Sequence, residues 1–254
     1  METIINPRIL LLLLSSVIMA LVIMFVPPVS QDPGYHNFSD YRNILGIPNF
    51  WNVVTNIPFI ILGITGFFKI RKQELTGILP NFFRAYLAFF MGLVLTGLGS
   101  GYYHLDPSNS TLVGDRMAIT VTFMSFFVLI FGESISTRTA SILLVPLVFL
   151  GLTSVVYWHI TEKLGTGDLR FYALVQFLPI LLIPLMLFLY GSCLSGRRWV
   201  LAIILVYGAA KIAEMFDQQI YELIGFSGHS LKHLIAAFGA FLFLKGLEVR
   251  KLIK

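Results

Sequence analysis

The chain has 254 residues, of which 57% are hydrophobic, 14% aromatic and only 12% charged, about half the roughly 25% charged content of a soluble domain. A water-soluble globule of this length could not hide so much apolar surface, and the same composition excludes disorder. The formal charge of +5 comes from short Lys/Arg clusters between apolar runs, a pattern that belongs to membrane topology and not to nucleic-acid binding.

A helix needs about 20 apolar residues to cross the hydrocarbon core. Eight windows qualify, at 9–29, 53–70, 84–104, 113–132, 140–160, 171–192, 199–221 and 228–247. In lipid each must be helical, because every backbone polar group needs an internal partner. The first window follows Arg8. Its apolar run of about 18 residues is longer than the roughly 7–15 of a signal-peptide core, and no Ala-x-Ala site follows, so a retained helix is expected. The longest loop, 30–52, opens with the turn-rich Ser30-Gln31-Asp32-Pro33-Gly34. The remaining connections are short, and no repeat is visible. The expected fold is an all-α membrane protein. A seven-helix transmembrane bundle over 35–254 follows one additional N-terminal transmembrane helix and its linker over 1–34.

Lys and Arg orient these spans. With the N-terminus inside, the cytoplasmic segments hold Arg8, Lys69, Arg71, Lys72, Arg84, Arg138, Arg197, Arg198, Lys245, Arg250, Lys251 and Lys254, 12 in all, against 3 outside, Arg42, Lys163 and Arg170. The asymmetry predicts an integral, multi-pass protein with both termini cytoplasmic, with a bacterial inner membrane as the expected location. The single cysteine, Cys193, rules out an intrachain disulfide and a thiolate cluster. A transition-metal site must therefore come from histidines and carboxylates.

Ionisable groups inside a span are costly and point to function. Here they gather at the outer ends: Ser100 and His104 close the third window, Asp115 and Arg116 open the fourth, and His229, Lys232 and His233 open the eighth. Lys211, Glu214 and Asp217 lie in the seventh, and the inner halves carry almost nothing ionisable. His229 and His233 are four apart and share a helical face, the spacing of the His-Glu-x-x-His zinc motif. With His104 they would form a three-imidazole site with one open position, the arrangement of catalytic zinc. Asp115 could serve as general base to a water there, and Ser100 could donate to a developing oxyanion. Gly97 and Gly101, beside Ser100, would allow a neighbouring helix to approach closely.

Plainer readings stand beside these. The histidine pair could hydrogen-bond within the bundle, and Asp115 could be a first-turn acid favoured by the helix dipole. Ser100 could be a small packing residue. Together, however, three outer helix ends would each need a separate excuse. His36 and His159 read as structural, Lys211 and Glu214 as a pair within the bundle, and Tyr102-Tyr103 as interfacial anchors.

The set Ser100-x-x-x-His104, Asp115 eleven residues on, and His229-x-x-x-His233 near the C-terminus resembles the alkaline ceramidases, within the superfamily that also holds adiponectin-receptor-like proteins. Phe50-Trp51-Asn52 and Asn56 resemble the start of that family's core, and the resemblance covers roughly 35–247. It implies a seven-helix intramembrane zinc amidase. His104, His229 and His233 would bind Zn2+, Asp115 would hold and deprotonate a water, and Ser100 would support the oxyanion. Ceramide, the membrane lipid substrate, would be split into a sphingoid base and a fatty acid. Two departures stand out. Asn49 replaces an acid of the animal members, and the loop before it offers only Asp32 and Asp40 as carboxylates, so a calcium site of that type is not expected. Lys232 stands where those members carry a larger apolar residue, which bears on headgroup preference. Three rival readings remain at this point: a non-enzymatic receptor or sensor with structural zinc, a metal or proton transporter, and a hydrolase of another lipid amide or ester. The apolar inner halves argue against a transporter, which needs polar groups along its whole path.

Overall fold

Ser108 precedes an apolar run, and the local chemistry there explains a helix boundary. The Ser108 hydroxyl accepts from Thr111 N while Thr111 Oγ1 accepts from Ser108 N, a reciprocal capping box that satisfies two otherwise unpaired donors. The protein, described by a computed structural model over residues 6–253, uses the simpler half of this device elsewhere, a side-chain acceptor at the N-cap. Asn6 caps the first helix with Pro7 behind it, and Ser136 and Ser227 accept from Thr139 N and Ser230 N. Residues 1–5 of the expected 1–34 unit, and Lys254, counted above among the cytoplasmic charges, lie outside the described residues.

The helices are α1 (Pro7–Phe25), α2 (Phe50–Val54), α3 (Ile57–Arg71), α4 (Phe83–Leu105), α5 (Asn109–Ser134), α6 (Thr137–Lys163), α7 (Arg170–Leu189), α8 (Arg198–Met215), α9 (Asp217–Ile224) and α10 (Gly228–Val249), with a 3-10 turn at Pro33–His36. No strand occurs among the described residues. Among the described residues seven spans are long and apolar enough to cross a membrane, α2 and α3 together counting as one, and the bent pair α8–α9 would make an eighth. The all-α, multi-pass membrane architecture expected above is therefore observed.

Two of the eight windows are not simple helices. Between α2 and α3, Pro58 lacks the N–H that would continue the ladder to Val54, and the chain is re-nucleated at Asn56. The window 199–221 breaks at Phe216, and α9 turns away from α8 by 79°. Lys211, which the continuous window would place near mid-span, thus sits just before the last turn of α8, and Glu214 within it. A third boundary also differs. Because α5 begins at Asn109, Asp115 lies in its second turn and not in its first.

Around the bundle, α4 packs between α3 and α5, α5 meets α6 and α7, and α10 lies against α8 and α3. Aromatic rings fill the contact between α4, α5 and α10, where Phe89 and Phe243 approach to 4.5 Å between centroids. α1 leans on α7 and buries only Leu12, leaving an apolar surface suited to lipid. Gly97 admits α3, since a Cβ there would lie 2.9 Å from Asn56 O, whereas Gly101 faces open space. Only one of the two expected glycines mediates a close approach.

Between α3, α4, α5, α7, α8 and α10 lies a cavity of about 380 Å³. Its depths are lined by apolar side chains such as Phe126, Ile183 and Phe243, and one end by Ser100, Asp115, Lys232 and His233. At the opposite end of the bundle Glu133 and Arg250 form a buried ion pair at 2.5 Å, 0% and 1% exposed in their side chains, with Ser192 Oγ donating to the same carboxylate. That half is thus less bare than expected, because Glu133 falls one residue beyond the fourth window.

Candidate metal centre

The last turn of α4 and the first turns of α10 meet at the polar end of the cavity. Asn49, at φ 47°, donates from Nδ2 to His104 O at 2.9 Å and satisfies a last-turn carbonyl of α4. The start of α10 is fixed by Asp217, whose Oδ1 accepts from His229 N at 2.7 Å and whose Oδ2 accepts from Ser39 N and Oγ at 3.0 and 2.8 Å. These anchors place three imidazoles in a near-equilateral triangle. The ring centroids of His104–His229, His104–His233 and His229–His233 are 4.9, 5.0 and 5.0 Å apart.

All three rings are at most 5% exposed. One ligand nitrogen from each lies within 4.8 Å of the others, so the three buried histidines are close enough to bind one metal ion. This is the only such group of three or more among the described residues. His104 Nε2 and His229 Nε2 are 3.3 Å apart. Two nitrogens on a tetrahedral zinc at about 2.0–2.1 Å stand roughly 3.3–3.4 Å from one another, so the spacing suits the ion. His233 is held from behind by Thr55 Oγ1, 3.0 Å from its Nδ1, which leaves Nε2 for a ligand bond. Two buried atoms, His104 Nδ1 and Asp115 Oδ1, have no hydrogen-bond partner among the described residues. Unpaired buried polar atoms are rare, and Asp115 Oδ1 is one that lines the cavity.

Ser100 and Asp115, 4% and 8% exposed, line the cavity beside His233. Of the five residues singled out from the sequence, Ser100, Asp115 and His233 therefore line one cavity, and His104 and His229 join it through the histidine cluster. Arg116 lies next to them, its guanidinium 4.0 Å from the Trp158 ring centroid and 4.8 Å from that of Tyr172. Lys232 Nζ bonds Glu214 Oε1 at 2.9 Å and stands 3.0 Å from His229 Nε2. Lys211 pairs with Glu214, as expected.

The long loop contributes more than a connection. Phe38 lays its ring 4.6 Å from His104 and 4.7 Å from His229, between centroids, and closes the site from above. Tyr35 OH points at Glu214 from 3.5 Å, and burial raises its hydroxyl pKa above the ordinary tyrosine range. His36 bridges Tyr103 OH and Asn109 Oδ1 at 2.9 and 3.0 Å, a structural role. Tyr103 itself is 1% exposed. The expectation of interfacial anchoring therefore fails for Tyr103, while Tyr102 is exposed, because adjacent helical residues point to different faces. The loop carboxylates are engaged: Asp40 by the Arg42 guanidinium at 2.8 and 2.5 Å, Asp32 by Gly34 N at 2.8 Å.

Thr55, Phe38 and Glu214's link to Lys232 were not anticipated as parts of the site. Thr55 adjoins Asn56, a position the family resemblance had marked, and that was its only signal. Compared with known proteins, the chain matches a family model described as Ceramidase over residues 38–253. No curated protein matches it.

Proposed function

The chain belongs to the ceramidase family, and from that premise we propose that it is an intramembrane, zinc-dependent hydrolase that cleaves the amide of ceramide-like lipids to a sphingoid base and a fatty acid. The observation that carries this reading is a cluster of three buried histidines, of which His233 lines an otherwise largely apolar cavity together with Asp115 and Ser100. His104, His229 and His233 would hold the ion. When bound, zinc supplies Lewis acidity without redox chemistry.

The other residues act around that point. The apolar walls take an acyl tail and exclude bulk water from the amide. Asp115 accepts a proton from the attacking water and returns it to the amine nitrogen as the carbon–nitrogen bond breaks. The Ser100 hydroxyl donates to the carbonyl oxygen as it gains charge. Thr55 orients His233, and Phe38 shields two of the rings from solvent. The Lys/Arg asymmetry supports cytoplasmic termini and a site towards the extracytoplasmic leaflet.

Elemental analysis of protein purified without chelators, beside a His229→Ala/His233→Ala variant, tests the metal. About one zinc per chain is expected, and the variant should lose it. Ceramide turnover by Asp115→Asn tests the chemistry: a fall of about 10²–10⁴-fold with zinc retained is expected. Wild-type protein without metal, or an undiminished Asp115→Asn rate, overturns the mechanism.

A further inference from the structure

Charged groups lining the cavity are unevenly matched. Arg116, Lys211 and Lys232 face only Asp115 and Glu214. Glu214 serves both lysines, through Oε1 to Lys232 and Oε2 to Lys211. The other contact of Lys232 is His229 Nε2 at 3.0 Å. An ammonium donor and a metal ion compete for that lone pair, so a metal at the histidines leaves Lys232 with a share of one carboxylate. Arg116 is 6% exposed. Its Nη2 bonds the neutral Gln31 Oε1 at 2.5 Å, while Nη1 has no partner among the described residues.

A buried cation without a full counter-charge is costly, and a divalent ion beside it deepens the deficit. A neutral lipid does nothing to offset this. A lipid acid does, through charge-assisted hydrogen bonds to an ammonium that has three donors. Lys232 stands next to a proposed ligand nitrogen, so the acid it meets must lie within a few bonds of the scissile amide.

We propose that, besides ceramide-like lipids, the site takes amide lipids that carry an acidic group beside the amide, as in N-acyl amino acids, in preference to their own neutral counterparts, and that Lys232 is the residue that receives that acid. The proposal rests on the amide-hydrolase reading above and adds the substrate class. It also gives the fatty-acid product, the same chemistry, an affinity for the site.

The test compares hydrolysis of N-palmitoylglycine with that of its neutral counterpart N-palmitoylethanolamine, and separately measures binding of palmitate against hexadecanol to the same purified protein. The acid should be favoured in kcat/KM by roughly tenfold to a hundredfold, the worth of a hydrogen bond to a charged group. Lys232→Met should erase most of that ratio, and Lys232→Arg should keep most of it. Palmitate should bind at least about tenfold tighter than hexadecanol, again through Lys232. Equal ratios for the two amides in wild type overturn the proposal, even if palmitate is preferred, because the cation would then serve only the product. If neither amide nor ceramide is cut while palmitate still binds through Lys232, the hydrolase reading fails and the anion site stands. If Lys232→Met does not fold, the wild-type preference between the two amides, and its retention in Lys232→Arg, decides the point.

Discussion

Thr55→Val isolates the support of one proposed ligand from the ligand itself. Thr55 and His233 are each 5% exposed, so water does not replace a lost bond between them. The threonine hydroxyl has one hydrogen, and it is committed to Trp51 O at 2.6 Å. At 3.0 Å from His233 Nδ1 the same oxygen must therefore accept, which puts the ring proton on Nδ1 and the lone pair on Nε2. Asn56 Nδ2, 3.4 Å from Nδ1, is itself a donor and cannot take over. Valine keeps the shape and leaves Nδ1–H unpaired, at a cost of about 1–3 kcal/mol for a buried donor. Loss of such a partner behind a metal ligand lowers affinity by about 10–100-fold, or about 1.4–2.8 kcal/mol, so the two magnitudes agree. Zinc affinity measured by chelator competition in detergent should fall by that factor in Thr55→Val, while Thr55→Ser stays within a few-fold of wild type. A Thr55→Val protein with wild-type affinity would refute the assignment of the Nδ1–H tautomer.

Three other perturbations have clear signs. A Cβ at Gly228 would lie 2.2 Å from Ala213 O and 2.8 Å from Asp217 Cα, backbone that cannot yield cheaply, so Gly228→Ala should cost about 1–3 kcal/mol and lower zinc affinity with the melting temperature; a fall in neither would mean the α8–α9 bend is softer than it looks. Glu133→Ala strands the buried Arg250 and should cost about 3–5 kcal/mol in detergent unfolding without changing zinc content per folded chain. The Arg170 guanidinium holds the Asp168 carboxyl down at about 2, below the roughly 3.9 of an unfolded chain. Its stabilisation is thus complete above about pH 4 and fades as pH falls towards 2. Because Arg170 also bonds Met24 O and Val26 O at 3.1 and 2.8 Å, proteolysis within 26–32 should quicken over that window, and in Asp168→Asn it should be quick at neutral pH as well.

Much of this was legible in residue order because hydropathy and i,i+4 spacing are local signals. His229 and His233 must share a face of any helix that contains both, and Ser100 and His104 likewise. That logic fails where a property depends on direction or reach. An apolar window over 113–132 ignores the polar turn Asn109-Ser110-Thr111, which is helical through the Ser108 cap, and so misplaces Asp115 by about one turn. The window 199–221 is continuous in hydropathy, yet hydropathy says nothing of a 79° change of course. Phe38 has no periodic partner in its loop, and only the folded chain shows it between two imidazoles. Lys232 was visible as an anomaly, but its meeting with Glu214, 18 residues away, depends on how α8 is laid against α10.

Both departures from regular helix lie beside the histidines, and this placement follows from the solvent. Within a bilayer, backbone freed from a helical ladder is tolerated only where protein or a cavity receives it. The interruption at Thr55–Asn56 turns two polar side chains toward His233. The bend at Phe216 starts α9 at Asp217, whose carboxylate then caps His229 N and holds the loop at Ser39. A straight α8 would carry Asp217 onward along its own axis, and the first ligand of α10 would lose its anchor. An uninterrupted α2–α3 span would engage the backbone beside Thr55 without aiming its hydroxyl. The irregular segments cost helix hydrogen bonds, and what they obtain is the orientation of two imidazoles at a depth where no water could do it.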